Sequence, residues 1–141
     1  MGYYLSNPRG GYAWVVDVDW TYDPQDQFPS RKGQTGPVDA PQLLLNLLAE
    51  GKGRRWRTLY DEDYDGQDVR ERRVHGGRYI DFNELDPATY GEIANTNVDA
   101  SAEQGPLWDL SQPDCGATEI QFFDPTIPNR PRTRTKWVTQ G

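Results

Sequence analysis

The chain carries a single histidine, His75, and a single cysteine, Cys115. A thiol beside an imidazole, with a third group to orient the ring, is the least that nucleophilic catalysis by such a pair requires. One residue of each type says nothing about proximity, and a solvated histidine with a small, partly buried cysteine is the plainer reading. Other constellations that carry chemistry are missing from the sequence. There is no G-x-S-x-G, no phosphate-binding loop ending in lysine, no dinucleotide fingerprint and no zinc-type Cys/His spacing. The expectation is a protein without catalytic residues or cofactor.

Carboxylates and guanidinium groups offer binding chemistry instead. Asp61, Asp63 and Asp65 precede Gly66 in the D-x-D-x-D-G order that opens a calcium loop, where alternate carboxylates converge on a hard cation. The twelfth position, which should hold a bidentate glutamate, is Arg72, and the flanks read as strands. A polar Asp/Gly hairpin turn accounts for the same residues without an ion. Glu62 and Asp68 extend this turn, and Asp81, Glu84 and Asp86 are expected to neighbour it, giving one acidic surface. The arginines make the opposing case. Lys52, Arg54, Arg55, Arg57, Arg70, Arg72, Arg73 and Arg78 lie on two arms of an expected hairpin, with Trp56 among them. Clustered guanidinium groups grip phosphate, and an interleaved ring can stack a base. Ion pairs with Asp17, Asp19, Glu71 and the acidic turn are the duller use of the same groups.

The overall balance bears on these readings. With 22 acidic against 15 basic residues the net charge is -7, which opposes broad binding to nucleic acid or to anionic membrane and suits a soluble protein, or one that meets a basic partner. One cysteine excludes an internal disulfide framework and fits a reducing compartment. No apolar run is long enough for a signal peptide or a membrane span, so a cytoplasmic protein is expected. At 141 residues the length fits one domain.

The elements that must position these groups begin with Gly11 to Asp23, GYAWVVDVDWTYD. Tyr12, Trp14, Val16, Val18, Trp20 and Tyr22 share one parity, the pattern of a strand with a buried face. Asp17 and Asp19 then face solvent or cations. After a Pro/Gly-rich loop, Asp39 as N-cap, Gln42 three residues later and Pro41 in the first turn predict a helix over about 40 to 50. Its stripe is Leu43, Leu44, Leu47 and Leu48, it ends at Gly51, and it is expected to pack on the aromatic face of the sheet. Residues 53 to 61 and 69 to 80 form the hairpin arms, and 117 to 123 a last strand. The fold class predicted is α+β: about four antiparallel strands, one main helix on one face, a domain over 1–123 and a Pro/Arg-rich extended tail over 124–141. Trp108 and Trp137 fall outside that core; either can anchor a partner, and the plainer reading of Trp108 is a plug at one end of the core.

Gly105 to Phe123, GPLWDLSQPDCGATEIQFF, resembles a pattern in small acidic proteins of actinobacteria and their phages, PL-x-D-F-G-x-P-x-x-G-C-T-E-I. Pro106, Leu107, Asp109, Pro113, Gly116, Thr118, Glu119 and Ile120 match. Leu110-Ser111 replaces Phe-Gly, and Ala117 stands where the pattern has cysteine. The stretch WRTLYDEDYDG matches that group's hairpin, and Gly33 to Pro37 its G-x-x-G-P. Such proteins have no assigned activity, so the resemblance implies a phage or mobile-element source rather than a mechanism. A turn from Pro113 to Gly116 would deliver Ile120 and Phe122 to the core.

Three functions follow as expectations. The first is a non-catalytic module binding a protein partner, for instance an inhibitor occupying a basic surface through Asp61, Glu62, Asp63, Asp65, Asp68, Asp81, Glu84 and Asp86. The second is a nucleic-acid binder using Arg54, Arg55, Arg57, Arg70, Arg72, Arg73 and Trp56. The third is a virion or assembly component whose tail and Tyr3 to Leu5 order on neighbouring subunits.

Overall fold

Aromatic and β-branched residues at alternate positions make Tyr12–Asp19 the longest-range organiser of the chain, and in the computed structural model it is strand β1. The structure describes residues 11–25, 27–61, 69–127 and 136–140. Thr35–Gly36 forms β2, Arg54–Leu59 β3, Arg73–Asp81 β4, Glu119–Phe123 β5 and Trp137–Gln140 β6. All pair antiparallel in one sheet of order β2-β1-β4-β3-β5-β6. The class is thus α+β, with six strands among the described residues rather than about four. The two additional strands are edges without a pattern of their own. β2 is two residues inside a Pro/Gly loop, and β6 lies in the stretch read as tail.

The inner face of the sheet holds Tyr12, Trp14, Val16, Trp56, Tyr79, Ile120 and Phe122, roofed by Ala102, Leu107 and Leu110 from the connection before β5. Trp14 meets Trp56 edge to face at 6.4 Å, and Tyr79 meets Phe122 the same way at 5.5 Å, arrangements that the ring quadrupoles favour. Ile120 and Phe122 reach the core as expected.

The leucine helix corrects one expectation. Helix α1, Gln42–Ala49, sits on the opposite face, where Leu44, Leu47 and Leu48 pack with Ala13, Ile80 and Phe82. The aromatic face is already roofed, and the small Ala13 leaves room for leucine on the other side. The helix also starts later than Asp39. Pro41 bars its predecessor from helical geometry, so Pro41 itself is the cap, extended at ψ 133° and without a side-chain hydrogen bond. Its end is as read: Gly51 takes φ 90°, and the N–H of Lys52 returns to the carbonyl of Leu47.

Register breaks in β1 matter most for function. Val16 pairs with Gly77 and Val18 with Gly76, so Asp17 is an extra residue. Such a bulge reverses the alternation beyond it. Val18 and Trp20 turn to the outer face, where a Cβ on Gly76 would touch both, and the Asp19 side chain turns inward to 4% exposure. The unbroken parity from Tyr12 to Tyr22 is therefore not realised, and the strand ends at Asp19. A second break falls between Arg57 and Leu59 against β4, and Val69–Arg72, expected as strand, is a short helical turn.

Candidate functional site

Two places assemble polar groups that sequence spacing keeps apart. The first lies under the inner face. His75 is fully buried on β4. Its Nδ1 lies 2.8 Å from Ser111 Oγ, and Ser111 Oγ accepts from Thr58 Oγ1 at 2.7 Å. On its other side Nε2 lies 3.5 Å from Asp19 Oδ1 and 3.8 Å from Asp114 Oδ2, with no hydrogen-bond partner of its own. Cys115 Sγ is 3.4 Å from Asp114 Oδ2. Arg31 donates from Nη2 to Asp114 Oδ1 at 2.6 Å, and its backbone N–H donates to Asp19 Oδ2 at 2.9 Å.

Local sequence explains this clustering. Leu107–Ser111 is a π-helical turn closed by the N–H of Gln112 on the carbonyl of Leu107. Pro113 has no N–H to offer Asp109, four residues earlier, so the ordinary α-helical bond cannot form there. The widened turn aims Ser111 at His75 and lets Asp109 accept from Tyr12 Oη at 2.6 Å and Trp14 Nε1 at 3.0 Å. A further turn, Gln112–Cys115, ends at Gly116 in left-handed geometry and sets Asp114 and Cys115 against β1 and β4. The bulge supplies Asp19.

Electrostatics define what these groups can do. Burial drives the His75 imidazole below its ordinary value although Asp19 and Asp114 pull the other way. Burial would raise the Asp19 carboxyl, but hydrogen bonds from Thr21 and Arg31 and the nearby His75 outweigh it and hold it low. Burial, then the neighbouring Asp114, pushes the Cys115 thiol up to about 11. A neutral imidazole and a protonated thiol are poor reagents for thiolate attack. The lone His and lone Cys are brought together, but Asp114 favours the thiol form. A cleft of about 210 Å³ opens beside them, lined by Thr21, Tyr22, Phe28 and Arg31 together with Asp19, Asp114 and Cys115.

The second place is the half of the outer face that α1 leaves open. Gly76 and Gly77 floor a groove of about 240 Å³ between Trp20, Arg55, Arg57, Arg73 and Trp137, and Asp17, whose carboxylate is held by Arg78, also lines it. Arg57 sits 4.3 Å from the Trp137 ring centre, Arg73 4.4 Å from that of Trp20, and Arg55 5.0 Å from that of Phe123. Among the described residues these three guanidinium groups have no carboxylate within ion-pairing distance. Burial, then the neighbouring charge of Arg73, lowers Arg57 to about 10.

The expected site residues divide accordingly. Of the arginines, Arg54 pairs with Glu84 at 2.7 Å, Arg72 with Glu119 at 2.8 Å and Arg78 with Asp17 at 2.9 Å, so they are neutralised. Arg70 lies within the short turn before β4, where its carbonyl accepts from Arg73 Nε at 3.4 Å. Trp56 is buried in the inner core, with no face free for a base. Of the acidic residues expected to bind a partner, the structure describes Asp61, Asp81, Glu84 and Asp86. Asp81 is buried and accepts from Tyr79 Oη at 2.8 Å, Glu84 holds Arg54, and Asp86 caps the turn Pro87–Tyr90 by accepting from the N–H of Ala88. Asp61 is exposed. Glu62, Asp63, Asp65 and Asp68, and with them the calcium-loop reading, lie outside the described residues, as do Tyr3 to Leu5. Sequence reasoning missed Arg31, Ser111 and Asp114. Ser111 and Asp114 are three residues apart on consecutive turns, but no spacing links them to Arg31 or to His75.

No family model, curated protein or solved structure matches the chain. Among the described residues no helix is long and apolar enough to cross a membrane.

Proposed function

We propose that the protein is a non-catalytic binding module whose open sheet face takes single-stranded nucleic acid. One observation carries this reading: Arg55, Arg57 and Arg73 each lie over an aromatic ring around a glycine floor, and among the described residues none of the three is ion-paired, the Asp17 carboxylate that also lines the groove being held by Arg78. Guanidinium groups of this kind meet phosphates while the rings beside them stack bases, and the sequence tolerance of stacking suits a flexible strand. The negative charge of the whole chain restricts such binding to this one strip and favours a short strand over a duplex. The partner-binding reading through acidic loops is the weaker one, because Asp81, Glu84 and Asp86 already serve bonds within the chain.

The test is a tryptophan-fluorescence titration with a short oligothymidylate at low salt. Quenching is expected, because Trp20 and Trp137 line the groove. With three arginines engaged, the logarithm of affinity should fall against the logarithm of salt with a slope of about -2. Arg57→Ala or Arg73→Ala should weaken binding and flatten that slope by about 0.7 each. Absence of binding at low salt, or binding indifferent to both substitutions, overturns the proposal. Capture of polyglutamate in place of the oligonucleotide would transfer the groove to an acidic protein segment.

A further inference from the structure

We propose that His75 Nε2, Asp114 Oδ2 and Cys115 Sγ form a zinc site that opens on the cleft beside Arg31. This is independent of the groove on the opposite face of the sheet. The three donor atoms lie within 4.8 Å of one another. Tetrahedral zinc, with bonds of roughly 2.0–2.3 Å, places its ligands about 3.3–3.8 Å apart. Cys115 Sγ is 3.4 Å and His75 Nε2 3.8 Å from Asp114 Oδ2, so two of the three edges already have that length and only the third must close.

A cysteine among acidic groups is not by itself a site. The imidazole supplies the independent observation. His75 is fully buried, and its Nε2 is aimed into the cluster with no hydrogen-bond partner. A buried ring nitrogen left unpartnered costs free energy unless something meets its lone pair or its proton. The other ring nitrogen lies 2.8 Å from Ser111 Oγ, which can accept its proton and leave Nε2 bare. Metal-bound histidines are held in that way, through a second hydrogen bond that fixes tautomer and ring plane.

The donor set selects the cation. Sulfur, imidazole and one carboxylate form a borderline-soft set that suits zinc and is wrong for calcium or magnesium. Asp19, 3.5 Å from Nε2, adds a second negative charge at the edge of the site. Arg31 is the counterforce. Its guanidinium lies on Asp114, 2.6 Å from Oδ1 and 3.3 Å from Oδ2, where it both orients the carboxylate and repels a cation. The ligand count of three, with an approach through the cleft, leaves one position for water.

Cobalt(II) titration of the full chain reads the site directly. The expected result is one equivalent of bound cobalt with a thiolate-to-cobalt band in the near ultraviolet and intense visible bands of tetrahedral coordination, displaced by zinc. Zinc should also raise the melting temperature of the chain, and a chelator should reverse the rise. Substituting His75 risks the core, so the decisive variants lie elsewhere. Cys115→Ser should abolish the ultraviolet band, and Ser111→Ala, which touches no metal, should lower zinc affinity about 10- to 100-fold. No tetrahedral spectrum with excess cobalt overturns the proposal. So does a spectrum of equal strength in the urea-unfolded chain, or zinc affinity unchanged in both variants.

Discussion

Glu84 shows burial competing with a direct ion pair. Burial pushes its carboxyl up to about 7 against the pull of Arg54, and Asp81 and Glu103 push the same way. Arg54 itself loses charge stability to burial but regains more from Glu84 and Glu103. The pair therefore secures the arginine while leaving the glutamate uneasy. Between about 4.5, the ordinary value, and about 7 the native state holds the extra proton. Stability from this residue is thus greatest at the acid end and falls as pH rises through that window. His75, shifted down from 6.5, contributes the opposite slope. The informative quantity is consequently the difference between wild type and Glu84→Gln. Melting temperatures across the window should show the wild type losing stability relative to the variant as pH rises, and a constant difference would contradict the assignment.

At the scale of elements, the bulge in β1 is the device on which both sites depend. It sends Asp19 inward to the His75 cluster and Val18 and Trp20 outward to the groove. The backbones of β1 and β4 approach closely there, and a Cβ on Gly77 would collide with the carbonyl oxygen of Val15. Backbone cannot swing aside as a long side chain can. Gly77→Ala should therefore cost about 3 kcal/mol or more in urea denaturation. A loss under about 0.5 kcal/mol, the usual range for a surface change, would mean that the strands are not so close.

For the molecule as a whole, the sheet is enclosed on one face and only half covered on the other. The uncovered half ends at β6, whose Trp137 lies beneath Arg55 and Arg57 and packs on Phe123 at 5.4 Å. β6 is also the strand that covers the edge of β5. A chain ending at Ile127 loses both functions. It should bind oligothymidylate more weakly, and by sedimentation it should self-associate more strongly than the full chain, because an unpaired edge offers its N–H and C=O groups to another copy. Equal affinity and equal sedimentation would remove β6 from the groove and from edge protection alike.

How much of this was legible in the sequence depends on whether a feature is local. Alternation in Tyr12–Val16, the leucine stripe of α1, the hairpin arms and the strand at Glu119–Phe123 are each written in contiguous residues, because burial of one face imposes a period on the chain. The face on which α1 lies was not legible, since it depends on what else roofs the aromatic side. A single unpaired residue at Asp17 leaves no signature in composition, yet it reverses every side chain after it. Which arginines stay unneutralised among the described residues is likewise a matter of register: β3 places Arg54 beside Glu84, and Arg55 and Arg57 on the other face, where the Asp17 carboxylate is taken by Arg78. The meeting of His75 with Asp19, Asp114 and Cys115 was invisible for the same reason. Sequence by itself determined the long strands and the leucine helix; only tertiary structure decided the edge strands and which polar groups share a space, because these are set by register and packing between segments distant in the chain.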